Sequence, residues 1–266
     1  MHLPIHKWVN TVDLRQSYQN RDFHFEESAE SRAAAKQKVC LVGSCRILNF
    51  LNFFRVYNHF SGHPFELICL NPVECWNPGS PVADGVNAAM NGIQIGEVDW
   101  VICEHVEHCG VMNTVEDAGQ NIFKNLGCVT KNPVIRMPNW IYMFMYDSEL
   151  AHIEKDYAEL TGDARVVALR KRTDECRERF LRYCRESSIL GLEAWTLDVW
   201  LSTRLGWTSS HSSIHLSRRI FNGIAAIMQL TLTPAILGHE HFTHDRFAST
   251  GTVLAPVDYE ANHWKF

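Results

Sequence analysis

The sequence predicts an α/β protein with a mainly parallel sheet flanked by helices and a C-terminal helical subdomain. Short apolar runs of strand length recur through the first part of the chain, and turn- and helix-forming sequence separates them. This alternation indicates parallel strands joined by crossover helices. From Ser148 to about Met228 the apolar residues instead recur at helical spacing, which predicts the helical subdomain.

Four apolar runs are the candidate strands of the sheet. They are Val39–Val42, Leu67–Leu70, Trp100–Cys103 and Val134–Arg136. The third lies within a longer apolar run, residues 98–106, which is expected to form one strand. Because the carboxyl ends of parallel strands meet at one edge of a sheet, we expect these ends to line one crevice.

The first strand is predicted to lead through a tight turn into a buried helix. Gly43 closes the strand, and Ser44 can cap a helix that runs from Cys45 to about Phe60. This helix is apolar on nearly every face, which is typical of a helix in the core.

Three helices are predicted in the second half of the chain. Thr173 is expected to cap the first, which continues to about residue 187 with Phe180, Leu181 and Cys184 at helical spacing. The second covers residues 191–206. The third begins after residues 208–213 and continues through Met228.

The domain limits follow from these changes of pattern. A chain of 266 residues lies near the upper end of what one hydrophobic core supports, so we expect one domain with a helical addition or two closely associated lobes. The predicted limits are an N-terminal arm over 1–37, an α/β core over 38–147, a helical subdomain over 148–230 that completes the active-site cleft, and a C-terminal tail over 231–266 packed on the core.

Composition argues against several classes of protein. The formal net charge of −5 argues against a nucleic-acid binder, which usually has a strongly basic domain. No apolar run has the length of a membrane-spanning helix, and the N-terminus lacks the features of a signal peptide. The nine cysteines are odd in number, which favours reduced thiols over a disulfide scaffold. Cys40, Cys69 and Cys103 lie inside apolar strand runs, so we expect their thiols to be buried. We therefore expect a cytoplasmic protein without nucleic-acid or membrane partners.

Polar residues follow each apolar run, at the predicted crevice. They are Gly43, Ser44, Cys45 and Arg46 after the first run, Asn71 after the second, Glu104, His105 and His108 after the third, and Asn139 after the fourth. A crevice lined in this way is where an α/β protein is expected to bind its ligand.

Cys45 is the candidate nucleophile. A helix N-terminus and the neighbouring Arg46 both favour the thiolate over the thiol. A nucleophilic thiol needs a base, and the candidates are His211, just before an amphipathic helix, and His105 or His108. The alternatives are that Cys45 is a packed core residue and that His211 is a cap or surface residue, and the sequence leaves both open.

Two groups of residues have side chains of the type that binds zinc. The first is Cys103, His105, His108 and Cys109, and the second is His239, His241 and His244. Their spacing lacks the C-x-x-C pattern of common structural zinc sites, so we expect no metal.

Three separated segments resemble the WcbI-type polysaccharide biosynthesis family. "LVGSCRI" is similar to an early strand of that family that ends in a Gly-x-Cys turn, with Cys45 in the matching place. "NPVIRMPNWIYMFMYD" resembles a later strand with a Pro-Asn pair followed by aromatic residues, which carries over to Pro138, Asn139 and Tyr146. "RLGWTSSHSSIHLSRRI" resembles a segment in which a histidine opens a helix, which points to His211 and Ser213.

The resemblance implies a protein that binds coenzyme A, or its adenosine 3′,5′-diphosphate portion, and transfers an acyl group. In this hypothesis Cys45 is the nucleophile or contacts the thioester, and His211 is the base, with His105 as the alternative. The residues expected to contact coenzyme A or acetyl-coenzyme A are Gly43, Ser44, Arg46, Asn139, Tyr146 and Ser213. The expected acceptor is a hydroxyl or amine on a sugar or sugar-like molecule, and the enzyme is compatible with a homo-oligomer.

Two other functions stay open. The Gly-x-Cys turn is also similar to the Gly-Asp-Ser turn of SGNH hydrolases, which implies an esterase that uses the same crevice with water as acceptor. A non-catalytic nucleotide-binding or structural protein would bind ligand and tolerate the loss of Cys45.

Overall fold

The computed structural model describes residues 35–43, 47–70, 96–104, 128–138, 160–200, 202, 205 and 212–244. In chain order its elements are β1 (Gln37–Val42), α1 (Ile47–Phe60), β2 (Phe65–Leu70), β3 (Glu97–Val98), β4 (Trp100–Glu104), β5 (Val129–Thr130), β6 (Ile135–Met137), α2 (Gly162–Glu186), α3 (Leu192–Val199), α4 (Ile214–Ile227), α5 (Pro234–Leu237) and α6 (Glu240–Thr243).

Within the part of the chain that the structure describes, the main sheet has four strands, all parallel, in the order β2-β1-β4-β6. Strand β1 is central: Cys40 pairs with Ile68 of β2 on one side and with Val101 of β4 on the other. A parallel strand covered on both faces reads as a continuous apolar run. Residues 39–42 form such a run and are buried throughout. The α/β fold with a parallel sheet flanked by helices is thus confirmed.

The predicted strands all lie in this sheet, but their limits differ: β1 and β2 each begin two residues earlier than predicted, and β4 ends one residue later. Strand β6 lies one residue later than predicted. The run over 98–106 is not one strand, because it bends at Asp99 and divides into β3 and β4. The Asp99 N–H donates to the Lys38 carbonyl at 2.9 Å, and the Asp99 carboxylate accepts the Lys38 N–H at 2.8 Å. Before Asp99 the chain pairs with β5 in the small β3–β5 sheet, and after Asp99 it pairs with β1 in the main sheet.

Helix α1 is the buried helix that the sequence predicts. Its buried apolar residues are Ile47, Phe50, Leu51, Phe53, Phe54, Val56 and Tyr57. The helix packs on β1 and β2, where the ring of Phe54 meets that of Phe65 edge-on at 5.7 Å. On another side it packs against α5, and Phe53 stacks on Phe242 with ring centroids 4.2 Å apart.

A buried asparagine joins the end of α1 to the start of β2. The Asn58 side chain donates to the Phe65 carbonyl at 2.9 Å and accepts the Phe65 N–H at 3.1 Å. Its own carbonyl accepts the N–H of His63 at 2.7 Å, and Gly62 between them has a left-handed φ of 75°. A glycine in this conformation is a common helix C-terminal signal. Helix, turn and strand are therefore held as one unit.

The predicted helix start at Thr173 is wrong. Helix α2 begins at Gly162, and Thr173 lies in its interior. The prediction depended on a threonine followed by acidic residues, but the preceding sequence is rich in Ala, Leu, Arg and Lys, which favour a helix and extend it backwards. Phe180, Leu181 and Cys184 are buried, as their spacing predicts.

Helix α3 is shorter than predicted, and α4 agrees with the prediction. Helix α3 ends at Val199, whose carbonyl accepts the N–H of Ser202 at 3.0 Å in a tight turn. The Arg185 guanidinium donates to both carboxylate oxygens of Glu193 and so connects α2 to α3. The burial of Leu216, Ile220 and Ile224 gives α4 an apolar stripe.

The chain divides into two compact units. One comprises Met1–Met137 with Ile224–Phe242, and the other comprises Pro138–Gly223 with Thr243–Phe266. The domain limits predicted from the sequence stay a prediction. Within the described ranges, none of the helices combines the length and the apolar character needed to cross a bilayer.

Asp99→Asn is expected to destabilise the protein near neutral pH and to have little effect in acid. The pKa of Asp99 is lowered chiefly because its carboxylate accepts the Lys38 N–H, and the ammonium of Lys131 adds to the effect. A carboxyl whose pKa is lower in the folded state stabilises the protein above its unfolded value of about 4, and this contribution is lost as the pH falls through the folded value. We expect a loss of about 1 kcal/mol in the free energy of unfolding at neutral pH, measured by urea denaturation.

Glu97→Gln is the matched control for Asp99→Asn. Glu97 contacts the same Lys131 ammonium at 2.9 Å, but its side chain is 64% exposed, so its loss should change the free energy of unfolding by close to zero. An equal destabilisation by Asp99→Asn at neutral pH and near pH 2 would show that the charge of Asp99 is not the cause.

Candidate active site

The carboxyl ends of the central strands meet in register at one edge of the main sheet. Val42 at the end of β1 pairs with Leu70 of β2 and with Cys103 of β4. Glu104 at the end of β4 pairs with Met137 of β6. Gly43, which follows β1, and Glu104, which ends β4, thereby lie at a common edge, where parallel α/β sheets bind their ligands.

Glu104 covers Gly43 at this edge. Glu104 is 2% exposed, and Gly43 is buried with it. A Cβ atom on Gly43 would lie 2.8 Å from Glu104 Oε2, 2.9 Å from Glu104 Cβ and 3.4 Å from Ile47 Cβ. Because Gly43 has no side chain, the Glu104 carboxyl can lie directly against the end of β1.

Cys103 is an unreactive thiol next to this carboxyl. Burial raises its pKa to about 12, and the charge of Glu104 acts in the same direction against the smaller opposite effect of Arg136. Its Sγ donates weakly to the Glu104 carbonyl at 3.5 Å. The predicted burial of the Cys40 and Cys103 thiols is confirmed, whereas the side chain of Cys69 lies outside the described residues.

Only two of the nine predicted site residues, Gly43 and Ser213, are described. The other seven lie outside the described residues: Ser44, Cys45, Arg46, His105, Asn139, Tyr146 and His211. Gly43 belongs to the unit that contains the sheet, and Ser213 belongs to the other unit. The roles predicted for these residues remain predictions.

Ser213 has a structural part at the start of α4. Its side chain oxygen accepts the N–H of Leu216 at 3.4 Å, and its carbonyl accepts the N–H of Ser217 at 3.0 Å. A serine in front of a helix commonly caps it in this way. Ser213 is 1% exposed, and the neighbouring Ser212 and Ser217 hydroxyls are 3.0 Å apart.

Among the described residues, no group of three or more His, Cys, Asp or Glu side chains is arranged to hold a metal ion. Of the first candidate zinc group, only Cys103 is described. In the second, the rings of His239 and His241 stack at 5.3 Å, and His244 Nδ1 lies 2.9 Å from the Thr243 hydroxyl.

The candidate site residue that the sequence did not single out is Glu104, which the structure buries at the edge of the sheet. The sequence places it after the third apolar run, among several polar residues, and gives no reason to prefer it to its neighbours. The signal that could have found it is a carboxylate that directly ends a wholly apolar strand, because a charge is rarely buried without a purpose.

Comparisons with protein-family models, with curated proteins and with solved structures find no match for this chain. The resemblance to the WcbI-type family therefore remains a hypothesis that depends on the three sequence segments alone.

Proposed function

We propose that the protein is a coenzyme A-dependent acyltransferase that moves an acetyl group to a hydroxyl or amine of a sugar-like acceptor. The observation that supports the proposal most is the buried Glu104 carboxyl against Gly43, at the carboxyl edge of a parallel sheet. In the sequence Gly43 is followed by Ser44 and Cys45, and α1 begins two residues after Cys45. A buried carboxyl is a group that can orient a base or hold a proton in a site of this kind.

The proposed reaction has two steps. The Cys45 thiol gives its proton to His211, or to His105, and its sulfur attacks the carbonyl carbon of the thioester, so that coenzyme A leaves as a thiol after taking that proton. The acceptor hydroxyl or amine then attacks the acyl-cysteine while the same histidine removes its proton. The bond between the acyl carbon and the sulfur breaks, and the Cys45 thiolate leaves and takes that proton back. Backbone N–H groups of residues 44–46 stabilise the oxyanion, and where His105 is the base the Glu104 carboxyl orients it.

Charge supports the binding of the cofactor. A helix N-terminus attracts anions, and Arg46, Arg136, Arg218 and Arg219 provide side chains that bind phosphate. In this proposal the protein acts in the cytoplasm. The four cysteines whose side chains are described, Cys40, Cys103, Cys128 and Cys184, are not in disulfides, as that compartment favours.

Cys45→Ala is expected to abolish acyl transfer without abolishing the binding of coenzyme A. In a thermal-shift assay, coenzyme A, acetyl-coenzyme A and adenosine 3′,5′-diphosphate should each raise the melting temperature, on the order of 5–10 °C at a hundredfold excess over Kd. Mass spectrometry of intact protein after acetyl-coenzyme A should show one added acetyl group, located by peptide mapping at Cys45.

Cys184→Ala is the control, because Cys184 is buried in α2 and burial raises its pKa to about 12. This variant should keep both the thermal shift and the acetylation. Hydrolysis of an acetyl ester without coenzyme A, together with no thermal shift, would instead identify an esterase. A thermal shift that persists while Cys45→Ala changes no reaction would indicate a non-catalytic binding protein.

A further inference from the structure

The turn between α2 and α3 holds a leucine in solvent. Leu190 is 93% exposed, more than any other large hydrophobic residue in the described ranges. The backbone on both sides of it is fixed: the Ile189 N–H donates to the Ser187 hydroxyl, and the Ile189 carbonyl accepts the N–H of Leu192, both at 3.3 Å. The Leu190 carbonyl itself accepts a hydrogen bond from Arg219 Nη2 at 3.4 Å. A segment that is already ordered loses less conformational entropy when a partner covers it.

Leu190 begins an exposed apolar stripe that continues along α3. Ala194 and Leu197 follow it at spacings of four and three residues, which places all three on one side of the helix. Ala194 is exposed, and Leu197 is exposed by 53%. The opposite side of α3 is buried, with Leu192 and Thr196 both 0% exposed. Leu190, Ala194 and Leu197 together are called the α3 stripe.

Opposite charges lie at the two ends of the α3 stripe. The Arg219 guanidinium is bonded to Leu190 at one end and lies over the ring of Trp195, with Cζ 5.9 Å from the ring centroid. Asp198 is exposed at the other end, four residues after Ala194. Trp195 and Asp198 are three residues apart, so both charges lie along the same flank of the stripe. Among the described residues, neither Arg219 nor Asp198 takes part in an ion pair.

We propose that the α3 stripe is the contact surface between two copies of this chain, which pack α3 against α3 in antiparallel orientation about a two-fold axis near Ala194. In such a contact both copies present the same patch. The axis reverses the direction of the helix and keeps the flank, so Arg219 at the Leu190 end of one copy meets Asp198 of the other, and this pairing occurs twice. Leu190 packs against Leu197 of the second copy, and the small side chain of Ala194 lets the helices approach closely.

The arrangement of charge favours a second copy over other partners. An anionic surface would attract Arg219 and repel Asp198, and a cationic surface would do the reverse. A surface that carries both charges in the opposite order matches both of them, and the chain itself carries that surface. The proposal does not depend on the function proposed above, although it assigns Arg219, one of the four arginines named there, to the second copy instead of to phosphate.

The dimer should depend on concentration. A stripe on one short helix is small beside the interfaces of about 1,600 Å² that stable complexes bury, so we expect the dimer to dissociate at micromolar concentration. Sedimentation velocity of the full chain over a range of micromolar concentrations should give the mass of one chain at the lowest and of two chains at the highest.

Leu190→Ser should weaken the dimer about tenfold or more, because the leucine is buried only in the dimer and is lost from both copies. The urea denaturation midpoint of the monomer should stay unchanged, since the residue is exposed there. Val167→Ser is the matched control: Val167 is a 65% exposed apolar residue of α2 outside the stripe, and its loss should leave the dimer intact. Equal weakening by the two changes would contradict the role of the stripe.

Charge reversal tests the orientation of the two copies. Asp198→Arg and Arg219→Glu should each weaken the dimer, because like charges then face each other across the axis. An equimolar mixture of these two variants should form heterodimers, because both contacts of the mixed pair join opposite charges. Asp163→Arg makes the same change of charge as Asp198→Arg at the exposed start of α2 and should leave the dimer intact.

The result for Asp198→Arg is decisive even where Arg219→Glu disturbs the turn, because Asp198 makes no hydrogen bond or ion pair among the described residues. A chain that stays monomeric at its solubility limit, a dimer unaffected by Asp198→Arg, or a mixture of the two folded variants without heterodimers would each overturn the proposal. A monomeric chain that binds lipid vesicles, and loses this binding in Leu190→Ser, would also overturn it, since a membrane surface would then cover the stripe.

Discussion

Gly223→Ala is expected to destabilise the protein, although alanine is the better helix former. Gly223 lies inside α4, where alanine is favoured over glycine by about 1 kcal/mol at an exposed position. At this position, however, a Cβ would overlap Ile189 Cγ2 and would lie 3.0 Å from Ile189 Cγ1. Ile189 is 3% exposed and cannot move into solvent without losing its own burial. Overpacking of this kind costs about 1–3 kcal/mol, and the gain in helix propensity offsets about 1 kcal/mol of it, so we expect a net loss of roughly 1 kcal/mol in the free energy of unfolding.

Three further variants identify the cause of that loss. Asn222→Ala changes a neighbouring exposed position of α4 and should raise stability slightly, which isolates helix propensity. Ile189→Ala removes both atoms nearest to the added Cβ, so the double variant Gly223→Ala/Ile189→Ala should be more stable than the sum of its single changes predicts. Ile189→Val keeps both γ carbons and should not rescue. A denaturation midpoint for Gly223→Ala equal to or above that of the unaltered protein would contradict the close packing of α4 on Ile189.

The main sheet could be predicted from the sequence because its signal is local and strong. Strand β1 is buried on both faces, so each of its residues from Val39 to Val42 has to be apolar, and the pattern is visible without knowing its partners. The same holds for α1, which is apolar on nearly every face. The bend at Asp99 could not be predicted, because it depends on hydrogen bonds to Lys38, a residue on a strand that is distant in the sequence.

The candidate site could be predicted only in outline. The sequence shows which polar residues follow each strand, and the parallel order of the strands places Gly43 and Glu104 at one edge of the sheet. The sequence does not show how deeply each side chain is buried, so it does not distinguish Glu104 from the polar residues that follow it. For Ser213 the sequence allows two roles, because a serine in front of a helix can cap that helix or contact a ligand. The structure shows the capping hydrogen bond.

Gly43→Ala is expected to lower the stability of the protein, because the added methyl group would press against Glu104. The backbone of Gly43 needs no left-handed conformation, so the added methyl group meets only its neighbours. It would lie 2.8 Å from the Glu104 carboxyl oxygen and 2.9 Å from the Glu104 Cβ. The carboxyl group can rotate away, but the Cβ belongs to a hydrogen-bonded strand and cannot. We expect a loss of about 1–3 kcal/mol in the free energy of unfolding, measured by urea denaturation.

Changes at Glu104 divide this effect into its two parts. Glu104→Ala removes the carboxyl and keeps the Cβ, so Gly43→Ala should still be costly in that background, although less so. Glu104→Gly removes both, so there the cost of Gly43→Ala should fall close to zero. An undiminished cost in the Glu104→Gly background would mean that Gly43 is required for a reason other than the carboxyl. A double variant Gly43→Ala/Glu104→Gly that folds normally and yet shows no thermal shift with coenzyme A would mean that this edge of the sheet is needed to bind the ligand as well as for packing.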